Sequence, residues 1–146
     1  MEIQTNVVYR HLEKSQKRII VEQGGTRSGK TYNILIWLIT SYALRNTGKT
    51  ITLCRKTYPS LRASAMRDFI EILMNLGLYD ENYHNKSNSE IMLNGNLVEF
   101  IGMDQPQKIR GRKRDILFAN EANELNIEDW RQLSLRTTER IIIDYN

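Results

Sequence analysis

The feature that most limits what this chain can fold into is the stretch Gly24-Gly25-Thr26-Arg27-Ser28-Gly29-Lys30-Thr31. It satisfies G-x-x-x-x-G-K-[ST], and its surroundings raise the match above coincidence. Upstream, residues 17–23 (KRIIVEQ) place Ile19, Ile20 and Val21 at the centre of a short run, which reads as a buried strand feeding a turn. Downstream, residues 30–45 are apolar almost all round from Ile34 to Ile39, as expected of a helix buried against a sheet. A glycine-rich turn between strand and helix lets backbone N–H groups point inward around phosphate oxygens, while the helix start adds unpaired N–H groups and the positive end of its dipole. Gly24, Gly25, Thr26, Arg27, Ser28, Gly29, Lys30 and Thr31 therefore form a candidate phosphate cradle, with ATP as the ligand. Lys30 is expected to reach the β- and γ-phosphates and the Thr31 hydroxyl to ligate Mg2+. Arg27 has two open placements, on the γ-phosphate or in solvent.

The same alternation continues. Gly48 closes the helix, and residues 50–54 mix β-branched and apolar side chains as a second strand does. Pro59 opens a second amphipathic helix in which Leu61, Ala65, Phe69, Ile72, Leu73 and Leu76 recur at helical spacing until Gly77. Residues 79–89 are polar and turn-rich, and IMLNGNLVEFI then offers two apolar runs joined at Asn94-Gly95, a strong hairpin signal. Residues 115–119 (DILFA) form a third buried strand. Asn126 opens a helix with Glu128 and Asp129 in its first turn, anchored by Trp130 and Leu133, and Ile141 to Ile143 make a fourth strand. The order predicts an α/β fold: a three-layer αβα sandwich with a mostly parallel sheet, right-handed crossovers and an inserted β-hairpin. At 146 residues one domain is the default. An open α/β sheet that ends just after a core strand normally continues, so the chain reads as a truncated, front part of something longer.

Composition narrows the partners. A net charge of +4 and a pI near 9.3 favour a polyanion, and the excess gathers in Lys108, Arg110, Arg112, Lys113 and Arg114, a stretch that otherwise reads as a solvated loop. No apolar run is long enough to cross a bilayer, so no membrane role is expected. The single Cys54 and the lack of an apolar signal segment in MEIQTNVVYR point to a reducing, cytoplasmic setting.

A nucleotide hydrolase also needs an acid for the metal's water shell and a base for the attacking water, usually at the end of a neighbouring strand. Asn120-Glu121, directly after residues 117–119, is the candidate; a surface or helix-capping acid is the alternative for Glu121. With GGTRSGKT, CRKTYPSLRAS, NGNLVEFIG, KIRGRKRD, FANEANEL, LRTTER and IIIDYN in this order, nearly the whole chain resembles the ATPase domain, in its N-terminal part, of the large subunit of bacteriophage terminases. Those proteins are the DNA-packaging motors of tailed phages and prophages.

The resemblance implies Lys30 and Thr31 in the Walker A role, Glu121 as the catalytic glutamate, and Thr31 and Asn120 at the Mg2+. Asn120 departs from the aspartate many P-loop enzymes carry, and an amide should hold a metal's water shell less well. Some terminases of this branch also read Asn-Glu. Arg110 or Arg112 is implied as an arginine donated to a neighbouring subunit's phosphate, with Arg110 preferred, and Asn146 as the γ-phosphate sensor of the coupling motif. The other basic residues would meet DNA as phosphate contacts, while Arg55 and Lys56 point either to the ligand-binding edge of the sheet or to solvent. The implied setting is a homo-oligomeric ring on double-stranded DNA, with portal protein and small terminase subunit as partners, at the assembling procapsid in the host bacterial cytoplasm. Residues 1–146 would be a partial P-loop ATPase domain, lacking its last strands and the nuclease domain. Two other readings stand beside it: another P-loop NTPase such as a helicase-like enzyme or a kinase, and a nucleotide- or DNA-binding fragment without turnover. No second motor core fits in this length, and no arginine-rich lid can be placed.

Overall fold

A computed structural model describes residues 7–24, 29–110 and 113–146, the side chain of Arg110 excepted. Helix α1 (Val7–Lys14) leads into β1 (Ile19–Gln23), then α2 (Lys30–Trp37), which runs on as a π-helical segment, Leu38–Ala43. Strand β2 (Thr50–Arg55) is followed by α3 (Tyr58–Leu61), a second π-helical segment (Arg62–Met66) and α4 (Arg67–Asn75). Next come β3 (His84–Asn85), β4 (Glu90–Leu93), β5 (Asn96–Gly102), α5 (Pro106–Arg110), β6 (Arg114–Ala119), α6 (Ile127–Leu135) and β7 (Thr137–Tyr145). The seven strands form one sheet in the order β1-β7-β6-β2-β5-β4-β3, parallel from β1 to β5 and antiparallel at β4 and β3.

Alternating side chains of the central strands feed two cores. On one face Ile51, Leu53, Val98, Phe100, Ile116 and Phe118 pack with the buried residues of α1, α2 and α4. On the other, Cys54, Ile101, Leu117, Ala119 and Ile141 pack with Ile109 and Leu133 from α5 and α6. The αβα layering and the helix buried from Ile34 to Ile39 are as predicted, since a helix apolar all round must be covered on more than one side. Asn126 opens α6 as predicted, and it does so in a capping box: the Asn126 side chain accepts from Asp129 N–H, and the Asp129 carboxylate accepts from Asn126 N–H.

Four features differ in detail. The hairpin forms at Asn94 (φ 52°) and Gly95 (φ 78°), but its second limb, β5, is a central strand of the parallel sheet. Strand β1 lies at the sheet edge, so Ile20 is buried while Ile19 and Val21 stay about half exposed. Its three adjacent apolar residues imitate a strand covered on both sides. Helix α1 hides in a polar stretch because only Val8 and Leu12 enter the core; polar bonds hold the rest, Trp37 Nε1 donating to Glu13 at 3.0 Å. Strand β3 is two residues long, too short to leave a pattern.

Candidate functional site

Parallel strands end together, and here β1, β7 and β6 deliver their last residues to one edge of the sheet. Gly29 stands at φ 73°, a left-handed conformation that glycine adopts without strain, and its carbonyl accepts from both the backbone and side-chain N–H of Asn33 at 3.0 Å. That fixes the first turn of α2 and turns Lys30 inward. Lys30 is 4% exposed; its Nζ donates to Gly24 O at 3.0 Å and to Asn146 Oδ1 at 2.7 Å. Gly25, Thr26, Arg27 and Ser28 lie outside the described residues.

Ala119 and Ile143 are register partners, which sets Asn120 and Asp144 side by side one step further along. Glu121 then turns sharply at φ 53°. Its carboxylate accepts from Asn146 Nδ2 at 3.1 and 3.2 Å, so the Asn146 amide touches Lys30 with its oxygen and Glu121 with its nitrogen. The structure thus brings together Gly24, Lys30, Glu121 and Asn146, drawn from three strand ends and a helix start.

Asp144 is the residue that sequence reasoning passed over. It is fully buried, and Oδ2 accepts from the Thr31 hydroxyl at 2.5 Å and from Asn120 Nδ2 at 3.2 Å. Oδ1 accepts from Asn120 Nδ2 at 3.0 Å and from Glu121 N–H at 2.7 Å. Burial pushes its carboxyl above the usual range, against the lowering effect of the donors from Thr31, Glu121 and Asn120 and of the Lys30 charge. Its sequence signal is IIID, which repeats the pattern of an apolar strand ending in an acid. The amide orientation of Asn120 follows from chemistry, because a carboxylate only accepts. It leaves Asn120 Oδ1 buried without a hydrogen-bond partner.

These oxygens suit a hard cation: the Thr31 hydroxyl, the Asp144 carboxylate and the orphaned Asn120 Oδ1 are the donor types Mg2+ takes. Among the described residues no group of three or more His, Cys, Asp or Glu is placed to cage a metal alone.

The basic residues divide. Arg55 Nε bonds Glu124 at 2.9 Å and its NH1 bonds the Ser64 hydroxyl, while Lys56 pairs with Asp129 at 2.7 Å. Both therefore tie the end of β2 to neighbouring helices and to the segment after Glu121. Arg114 corrects the expectation of a DNA contact. It is 1% exposed, its Nε donating to Thr52 Oγ1 at 3.1 Å and its NH1 to Leu133 O at 3.3 Å. Lys108 and Lys113 are surface residues, Lys108 bonding Asn88 O. Arg110 ends α5 with its side chain outside the described residues, as is all of Arg112.

Solved structures with this fold include the large terminase of a thermophilic bacteriophage (TM-score 0.75, 17% identity, covering 95% of this chain and 37% of that one). The same protein in complex with ADP gives a TM-score of 0.71 at 16% identity, covering 95% and 37%. The ATPase domain of the Thermus phage P74-26 large terminase gives 0.70 at 15% identity, covering 97% and 64%. At such identities the likeness is one of fold, and this chain spans well under two thirds of the first protein's length. No curated protein matches. The family model described as phage terminase large subunit matches residues 16–146, and this chain belongs to that family.

Proposed function

We propose that this chain binds ATP with Mg2+ at the shared ends of β1, β6 and β7 and hydrolyses it as the ATPase part of a viral or prophage DNA-packaging terminase. The observation that supports this most is the Asn146 amide lying between Lys30 and Glu121. An amide in contact with both the phosphate-binding cation and the carboxylate beside it senses whether a phosphate occupies the space between them. A structural neighbour solved with ADP and with ATP-gamma-S fits the same ligand class.

In this reading Lys30 exchanges its bonds to Gly24 O and Asn146 for bonds to the β- and γ-phosphates. Asn146 then orients Glu121, and the Glu121 carboxylate aligns a water for in-line attack and accepts its proton. Thr31 and Asn120 face the metal. Mg2+, when bound, neutralises charge on the phosphate oxygens. Release of phosphate returns Lys30 to Asn146, which couples the hydrolysis state to β7.

Arg110, or Arg112, serves a neighbouring subunit of a homo-oligomeric ring, where an arginine finger stabilises the transferring phosphate. Residues 1–146 act as a partial ATPase domain, and the ring drives double-stranded DNA into the capsid with portal protein and small terminase subunit as partners, in the host cytoplasm. The test is ATP hydrolysis with and without double-stranded DNA by the wild type, Lys30→Ala and Glu121→Gln. Each variant should lose about a hundredfold or more in rate. Equal background rates in all three would overturn the enzymatic reading. Rings mixed from Arg110→Ala and Glu121→Gln subunits should regain activity; none regained removes the trans arginine.

A further inference from the structure

We propose that Asp144, at the end of β7, supplies the buried carboxylate of the Mg2+ site that Asn120, at the end of β6, does not supply. The inference rests on the nucleotide-binding reading above and deepens it. A cation bridging two phosphates and one hydroxyl needs a fixed negative charge nearby to order its water shell, and the amide of Asn120 has none. The adjacent strand carries one at the next register position: Ala119 pairs with Ile143, so Asn120 and Asp144 follow as neighbours at the same height.

The geometry gives Asp144 two tasks. Its Oδ2 holds the hydrogen of the Thr31 hydroxyl at 2.5 Å, which leaves the hydroxyl's lone pairs directed away from Asp144, where a cation can take one. Asp144 is in this respect a positioning residue, acting through Thr31. Its Oδ1 accepts from Glu121 N–H at 2.7 Å, so the same carboxylate sets the left-handed turn that presents Glu121. Asn120 serves as the spacer: its Nδ2 bonds the Asp144 carboxylate at 3.0 and 3.2 Å, while its Oδ1, in a side chain 3% exposed, is left without a partner. A buried carbonyl oxygen left over beside a hydroxyl and a carboxylate is a ready acceptor for a metal-bound water. The end of β6 thus carries the amide, and the acid stands one strand closer to β1, at the end of β7.

The arrangement can be tested by exchanging the two residues. The affinity of the whole chain for a fluorescent ATP analogue is measured in Mg2+ and in EDTA, for the wild type, Asp144→Asn, and the swap Asn120→Asp with Asp144→Asn. The wild type should bind more tightly in Mg2+. Asp144→Asn should lose about tenfold or more in Mg2+ without weakening in EDTA, and the swap should restore the Mg2+ gain. A wild-type Mg2+ gain in Asp144→Asn, an equal loss in both media, or a swap that restores nothing would each overturn the proposal. If Asp144→Asn does not fold, the swap alone decides, since it keeps one acid and one amide in contact. A wild type that binds no nucleotide in either medium refutes instead the nucleotide reading on which the proposal stands.

Discussion

Replacing Arg114 by Met tests how the segment that carries Arg110 and Arg112 is held. Arg114 reaches across three strands: it donates to Thr52 Oγ1 at 3.1 Å, and Thr52 donates in turn to Glu99 Oε1 at 2.6 Å. Its other contacts are Leu133 O at 3.3 Å and, more weakly, Ile109 O at 3.5 Å, the last residue before Arg110. Burial lowers its pKa and the Glu99 charge raises it, so the guanidinium and the carboxylate support each other inside the protein. Methionine nearly keeps the volume, so the loss is electrostatic. Two sound hydrogen bonds from a charged donor contribute about 1.5–3 kcal/mol each, and part is returned because the guanidinium no longer has to be desolvated. The expected net cost is about 3 kcal/mol, a large share of the roughly 5–15 kcal/mol that holds such a domain. Urea unfolding followed by tryptophan fluorescence and circular dichroism measures it. Adding Glu99→Gln to Arg114→Met should recover about 1–3 kcal/mol relative to the sum of the single changes, because the buried acid no longer faces a missing cation. A cost under about 1 kcal/mol, or strict additivity of the two changes, would refute the reasoning.

Three further outcomes are expected. Gly102→Ala places a Cβ 2.2 Å from the backbone N of Tyr58 and 2.7 Å from its Cα, so the start of α3 must shift; we expect about 3 kcal/mol of destabilisation, read as a melting temperature lowered by roughly 10 °C, and an unchanged value would contradict the packing. The Cys54 thiol, fully buried and pushed up to about 12 by desolvation, should resist a thiol reagent at pH 8 in the native state and react once urea unfolds the chain. His84 has its pKa lowered by burial and by the Lys86 charge, with Nε2 unpartnered. Its contribution to stability is therefore fully present above the unfolded value of 6.5 and lost as the pH falls through the lower folded one, so the wild type should lose more stability than His84→Gln between pH 7.5 and pH 5; equal losses would remove His84 as the cause.

What the sequence disclosed depended on how local each signal was. The strand before Gly24 and the helix from Lys30, the Asn94-Gly95 turn and the Asn126 cap are fixed by neighbours within a few residues, and the fold repeats them. Features set by sheet order were out of reach. Nothing local tells Ile19 and Val21 that β1 is an edge strand, or tells Arg114 that it sits under α6 instead of beside the other bases. The site shows the same division. Motif context singles out Lys30 and Glu121, and family likeness Asn146, and the structure brings these three side chains together. Asp144 was not legible in this way, because its meaning comes from Thr31, 113 residues earlier, and from Asn120 on the adjoining strand.

The central claim is that the ends of β1, β6 and β7 form a phosphate site whose cation is Lys30. Isothermal titration of ATP in Mg2+ into the wild type and Lys30→Ala tests it most directly. Lys30 lies buried between Gly24 O and Asn146 Oδ1, ready to turn to a phosphate, and one charge-assisted interaction of about 1.5–3 kcal/mol corresponds to a loss of roughly ten- to a hundredfold in affinity. Saturable one-to-one binding by the wild type with that loss in Lys30→Ala is the predicted result. Equal affinities in the two proteins, or no binding to either, would contradict it.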